Sequence, residues 1–193
     1  MNEIIFRILV LAILGVRCSY AHVLPGESGW IHPLSGIDHM IAMIAVGAWS
    51  AQLGGKKAIF KVPAAFVVAM FIGGVIGFTH INLPFTEEGI AISVLLLGLA
   101  IALERRLPIF LAVIGVGLFG ICHGYAHGYE MPSMTNKYFY VAGFLITTAC
   151  LHLVGAIGGL LILENKHGHA WLRLCGVFAS FVGIWLIVKL IIG

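Results

Sequence analysis

Long apolar stretches, interrupted at short polar intervals, dominate the sequence. Six of them fall at about 36–54, 60–79, 87–103, 108–128, 138–163 and 171–192. Each comes near the ~20 residues that a helix needs to cross the hydrocarbon of a bilayer, and the third is the shortest. None alternates with a period of two, so runs of this length read as helices rather than strands. The pattern predicts an all-α membrane protein with six transmembrane helices. A shorter run, Ile8 to Val16, precedes them. Arg7 stands before it and Ser19-Tyr20-Ala21 after it. A basic residue, a short apolar core and a small-x-Ala sequence make a signal peptide. Residues 1–21 are therefore expected to be a leader cleaved after Ala21, and 22–193 a six-helix transmembrane domain beginning at His22. The alternative is an uncleaved additional helix.

Composition agrees with lipid as the main solvent. Hydrophobic residues make up 61% of the chain and charged ones 10%, with a mean hydropathy of +1.07. Soluble domains carry about 25% charged residues. The net charge of +3 is small and forms no basic patch, which argues against a nucleic-acid partner. The placement of charge says more. Lys56, Lys57, Lys61, Arg105, Arg106, Lys166 and Arg173 lie in or beside the first, third and fifth loops, whereas the alternate loops hold only Lys137. Positive residues stay in the cytoplasm, so both mature termini are expected outside, with Lys189 reaching the interface near the C-terminus.

Glycine is frequent, at 25 residues, and much of it is spaced by four: Gly73 and Gly77, then Gly120, Gly124 and Gly128, then Gly155 and Gly159. Small residues on one helix face let backbones approach closely in lipid. Six spans would permit a three-plus-three inverted repeat, although the halves share no visible sequence similarity. Cys150 and Cys175 read as small apolar core residues, and Met40 and Met43 as core filler.

Nine histidines in so apolar a chain need an explanation, because ionisable groups inside membranes are costly. Two clusters stand out. His32-Pro-Leu-Ser-Gly-Ile-Asp38-His39 opens the first span. If the helix runs through it, His32 and His39 are two turns apart on one face. Asp38 can ligate a metal or orient the neighbouring ring. His123-Gly-Tyr-Ala-His127-Gly-Tyr-Glu130 closes the fourth span. His123 and His127, one turn apart, can grip one ion, with Glu130 on the same face. A bland alternative for each cluster is capping and interfacial hydrogen bonding. The first span starts outside and the fourth ends there, so the two clusters are expected at similar depth. Imidazole with carboxylate suits Ni(II), Co(II), Zn(II) or Fe(II) better than Mg(II) or Ca(II). His80, Glu87 and Glu88 could line an outer funnel. His152, near the middle of the fifth span, could be a transfer ligand or a ring bonded to its neighbours. His167 and His169 fall in a basic loop, where they could receive an exiting ion or simply be solvated. His22, if N-terminal, could chelate through its amine and ring. No phosphate-binding loop is present, so no ATPase is implied, and HExxH and GxSxG are missing too.

At these clusters the chain resembles the HupE/UreJ family of nickel and cobalt permeases. The family's H-x5-D-H motif corresponds to His32, Asp38 and His39. Its FHGxAHGxE motif corresponds to His123, His127 and Glu130, with Cys122 in place of the usual Phe. The resemblance covers essentially the whole chain. It implies a multi-pass protein of the bacterial inner membrane that imports Ni(II) or Co(II) without catalysis. The metal is cargo, and no resident cofactor is implied. Competing readings are an intramembrane zinc-dependent hydrolase, a haem-binding cytochrome with axial histidines, and a metal sensor. The charge bias makes a direct prediction. A tag after Gly193 should be reachable from outside intact cells, and cysteines at Lys57 or Lys166 should be protected from an impermeant thiol reagent. Labelling of Lys57→Cys from outside would contradict the assigned orientation.

Overall fold

The computed structural model describes residues 29–132 and 136–192. The expected leader, its cleavage site and His22 lie outside the described residues. All regular structure within them is helical. A single turn, α1 (His32–Ser35), is followed by α2 (Ile37–Leu53), α3 (Gly55–Gly77), α4 (Thr86–Ala102), α5 (Ile109–Tyr129), α6 (Lys137–Leu163) and α7 (Gly168–Ile192). Four of these, α3, α5, α6 and α7, are long and apolar enough to cross a membrane. The other two long helices, α2 and α4, have 17 residues each, or about 25 Å at 1.5 Å per residue.

The bundle is built from three close pairs: α3 with α5, α2 with α6, and α4 with α7. Glycine makes each possible. Gly73 and Gly77 face Gly124 and Gly128 so tightly that a Cβ on Gly124 would fall on the Met70 carbonyl, and one on Gly128 on the Gly74 carbonyl. Gly155 of α6 meets the Ile44 carbonyl of α2, and Gly98 and Gly176 press together between α4 and α7. With hydrocarbon outside, such backbone approach supplies the dispersion contacts that hydrophobic exclusion supplies in water. The pairing has the symmetry of a three-plus-three repeat. Exchanging α2, α3 and α4 with α5, α6 and α7 converts the first two pairs into one another and maps the third onto itself. α2 departs from that symmetry, because it also packs on α3 and α4.

That departure makes α2 the axis of the fold. Between Ala42 and Gln52 almost every residue is buried, among them Met43, Val46 and Trp49. A helix apolar on all sides belongs inside. α6 is one-sided instead. Tyr140, Phe144, Thr148 and His152, four apart, form its buried stripe toward α2 and α3. Cys150 lies off that stripe and Cys175 off the corresponding stripe of α7. Both are exposed on the outer surface, contrary to their expected place in the core.

The link from α2 to α3 is minimal. Gly54 and Gly55 turn the chain with φ of 80° and 79°, a region that side chains resist. The helix thus begins earlier than the apolar run implied, and Pro63 falls inside α3. The ends of α2 and α4 and the start of α7 are fastened at the same end of the bundle. Trp49 donates to the Arg105 carbonyl (3.3 Å), Gln52 to that of Ile101 (3.1 Å), and Arg173 to that of Ala102 (3.0 Å). The basic loop residues gather here, opposite the histidine clusters. His169 pairs with Glu104 at this end, so it is partnered rather than merely solvated.

Two glycines of α5 separate packing from helix propensity. Gly124→Ala should destabilise the protein by about 1–3 kcal/mol. Gly117→Ala, where an added Cβ meets nothing within 4 Å, should leave stability unchanged or raise it by up to about 1 kcal/mol. Thermal unfolding in detergent checks both, and a Gly124→Ala protein as stable as its parent would contradict the close α3–α5 contact.

Candidate metal centre

The site forms where the start of α2 meets the end of α5. The chain approaches along α6. A Cβ on Gly143 would lie 2.7 Å from the Trp30 backbone nitrogen, and Thr147 donates to the Trp30 carbonyl at 3.0 Å. Pro33 sits in the first turn of α1 rather than that of α2. Gly36, extended at φ −87° and ψ 117°, then separates the two helices. His32 and His39 are therefore not two turns apart on one continuous helix, as the seven-residue spacing suggested. The bend at Gly36 brings them together instead, with ring centroids 6.3 Å apart. A side chain at Gly36 would crowd Asp38 Oδ1 at 2.8 Å and His39 Nδ1 at 3.2 Å.

α5 supplies the other two rings. His123 and His127 are completely buried, as their spacing of one helical turn on the inner face requires. His39 lies between them, with centroids 4.8 Å from each, and His127 is 4.7 Å from His32. The four rings pack edge to face, drawn from both sequence clusters. Glu130, capping α5, places Oε2 3.3 Å from His32 Nε2. All six residues singled out from the sequence thus meet in one region. Among the described residues, no three His, Cys, Asp or Glu side chains already converge as a ligand set around one point.

Hydrogen bonds fix which nitrogens face the interior. Asp38 Oδ1 accepts from the His39 backbone N–H at 2.8 Å and lies 2.9 Å from Nδ1 of the same ring. A carboxylate is an acceptor only, so a neutral His39 carries its proton on Nδ1 and keeps its lone pair on Nε2. Ser93 of α4 donates its one proton to the Ile90 carbonyl at 2.6 Å and lies 3.0 Å from His123 Nε2. It can then only accept from the ring, which leaves the lone pair on His123 Nδ1. Both lone-pair nitrogens are buried without a protein partner, as are both nitrogens of His127. His127 instead stacks flat on Phe144, at 5.1 Å and 9°.

Two residues gain a place that the sequence did not give them. Ser93 is one; a serine inside an apolar run carries no signal of its partner. Glu87 is the other. It shares a cavity of about 320 Å³ with Asp38 and Lys189, which puts it directly beside the site. The pair Glu87-Glu88 opening an apolar helix was the available signal. Lys189 also lies over the Trp185 ring, at 5.6 Å. His80 stands apart, against Tyr129 at 5.4 Å. Cys122 points to α4, where a Cβ on Gly89 would meet its sulfur at 2.7 Å.

The family model for HupE / UreJ protein matches residues 10–186. The chain belongs to the HupE/UreJ family. It is similar to Protein HupE of Rhizobium leguminosarum bv. viciae, with 45% identity over 161 residues, 83% of each chain. No solved structure matches it. HupE/UreJ proteins are transporters and accessory permeases rather than enzymes, which sets the hydrolase reading aside.

The hydrogen-bond pattern can be read directly. Nitrogen-15 spectra of histidine-labelled protein at neutral pH should show His39 as the Nδ1–H tautomer and His123 as the Nε2–H tautomer. Ser93→Ala should release His123 to a mixture and leave His39 unchanged. The reverse tautomer at His39 would contradict the Asp38 pairing.

Proposed function

We propose that this chain is a secondary permease that imports a divalent transition metal, Ni(II) or Co(II), across the bacterial inner membrane. It crosses the membrane six times after its leader is removed, with α2 and α4 as the two short spans. The ion binds at the extracytoplasmic face among His32, Asp38, His39, His123, His127 and Glu130. The observation that carries this reading is the set of buried imidazole nitrogens with no protein partner, contributed by α2 and α5 to one cluster. Family membership supports a transporter.

The mechanism follows from charge and geometry. Two nitrogens bound to one ion at ~2.0–2.1 Å lie about 3 Å apart, so rings packed edge to face must rotate to turn their lone pairs inward. Asp38 holds His39 for that rotation and Ser93 holds His123. Asp38, Glu87 and Glu130 offset the charge of an ion that has shed its water. A potential of 100 mV, negative inside, draws a divalent ion inward by roughly 4–5 kcal/mol, at ~2.3 per charge. The glycine-packed pairs are the surfaces along which helices can shift.

Changing His39, His127 or Asp38 to Ala should abolish Ni(II) and Co(II) uptake by cells, with normal amounts of protein in the membrane. Binding to purified protein should weaken as pH falls, because a protonated ring has no lone pair for metal. Parental uptake by both His39→Ala and His127→Ala would contradict the assigned site.

A further inference from the structure

Below the four rings, the structure holds a second polar group that the outer site does not use. Along the buried stripe of α6, Phe144 stacks on His127; one turn on lies Thr148, and another turn on lies His152. Thr148 is fully buried, and its hydroxyl is 3.4 Å from two sulfurs, Met43 Sδ of α2 and Met70 Sδ of α3. One hydroxyl proton cannot serve both acceptors, so at any moment one thioether keeps its lone pairs unshared. Met43 is one turn beyond His39, and Met70 is one turn from Phe66. The Phe66 ring stands between the outer cluster and His152, with centroids 5.3 Å from His123 and 5.0 Å from His152. His152 is 2% exposed, and neither of its nitrogens has a protein partner. Gly47, one turn beyond Met43, packs against its backbone.

We propose that Met43, Met70 and His152, with Thr148 aligning the two sulfurs, form a second and softer metal station. An ion released by the outer histidines occupies it on the way inward. This rests on the permease reading above. Three helices deliver the donors to consecutive turns, and all three continue from the outer site. α2 carries His39 to Met43, α6 carries the contact of His127 to Thr148 and His152, and α3 bridges the two levels through Met70 and Phe66. Thioether and imidazole are soft and intermediate donors, suited to late first-row ions and poor for Mg(II) or Ca(II). None of the three carries charge. A station of neutral donors holds a divalent ion weakly, as conduction requires, since a site must be favourable enough to fill and weak enough to empty. Discrimination against hard ions would then be applied twice.

The test uses the full-length protein with Ni(II) as the probe. X-ray absorption of protein loaded with two equivalents should show sulfur among the metal's neighbours, and the double variant Met43→Leu/Met70→Leu should lose it. Leucine conserves the volume of methionine, so the core is kept. In proteoliposomes this variant and His152→Gln should each slow Ni(II) flux about tenfold or more, while affinity for the first ion stays within about threefold of the parent. Absence of sulfur in the parent, or sulfur that survives the double substitution, would overturn the proposal. So would parental flux in both variants. His127→Ala separates the two levels. If it leaves first-ion affinity and flux intact, the outer-site reading fails. If it abolishes them while the methionine and His152 variants behave as parent, only the deeper station falls.

Discussion

A buried imidazole must place its N–H and its lone pair somewhere, and hydrocarbon offers no partner for either. Leaving one polar group unpaired costs about 1–3 kcal/mol. Four rings at one depth therefore constrain everything around them. Asp38 and Ser93 each take up one nitrogen, of His39 and His123 respectively. Phe144 covers the face of His127 and Glu130 reaches His32. The nitrogens left over on His39, His123 and His127 point to a ligand from outside the chain. Stability alone would have favoured apolar residues of the same volume at these positions.

Packing makes this arrangement possible. The rings meet because α2 runs down the middle of the bundle with the end of α5 close beside its start. α2 is confined there by glycine contacts with α6 and by its own small residues, Ala42, Ala45, Gly47, Ala48 and Ala51. The α3–α5 pair sets the height of His123 and His127, because Gly124 and Gly128 pack onto the Met70 and Gly74 carbonyls. Glycine and histidine thus share α5 in alternate roles. One sets the distance to α3 and the other faces α2.

Much of this could be read from the sequence, and the unread parts have physical causes. Glycines four apart announced close helix faces, but not which faces pair, since Gly73 carries no mark of Ile121 or Tyr125. The six candidate ligands were legible because polar residues in apolar runs are expensive. That the clusters would meet was an expectation from the assumed alternation of spans, and the structure brings their rings together. The route by which His32 reaches His39 was not legible, because the seven-residue spacing carries no mark of the bend at Gly36 that ends one helix and starts the next. Ser93, Met43 and Met70 were hidden for a simpler reason. Such residues are ordinary in membrane helices, and only the distances to His123 and Thr148 distinguish them.

The central claim is that α2 and α5 share one ion. A double-mutant cycle on equilibrium Ni(II) binding to purified protein tests it most directly, with His39→Ala, His127→Ala and the double variant measured at one pH and salt concentration. Residues that hold the same ion are coupled, so the second substitution should cost far less than it does alone, with an interaction of about 0.5–3 kcal/mol. Strictly additive losses would place the two histidines in separate sites and contradict the account.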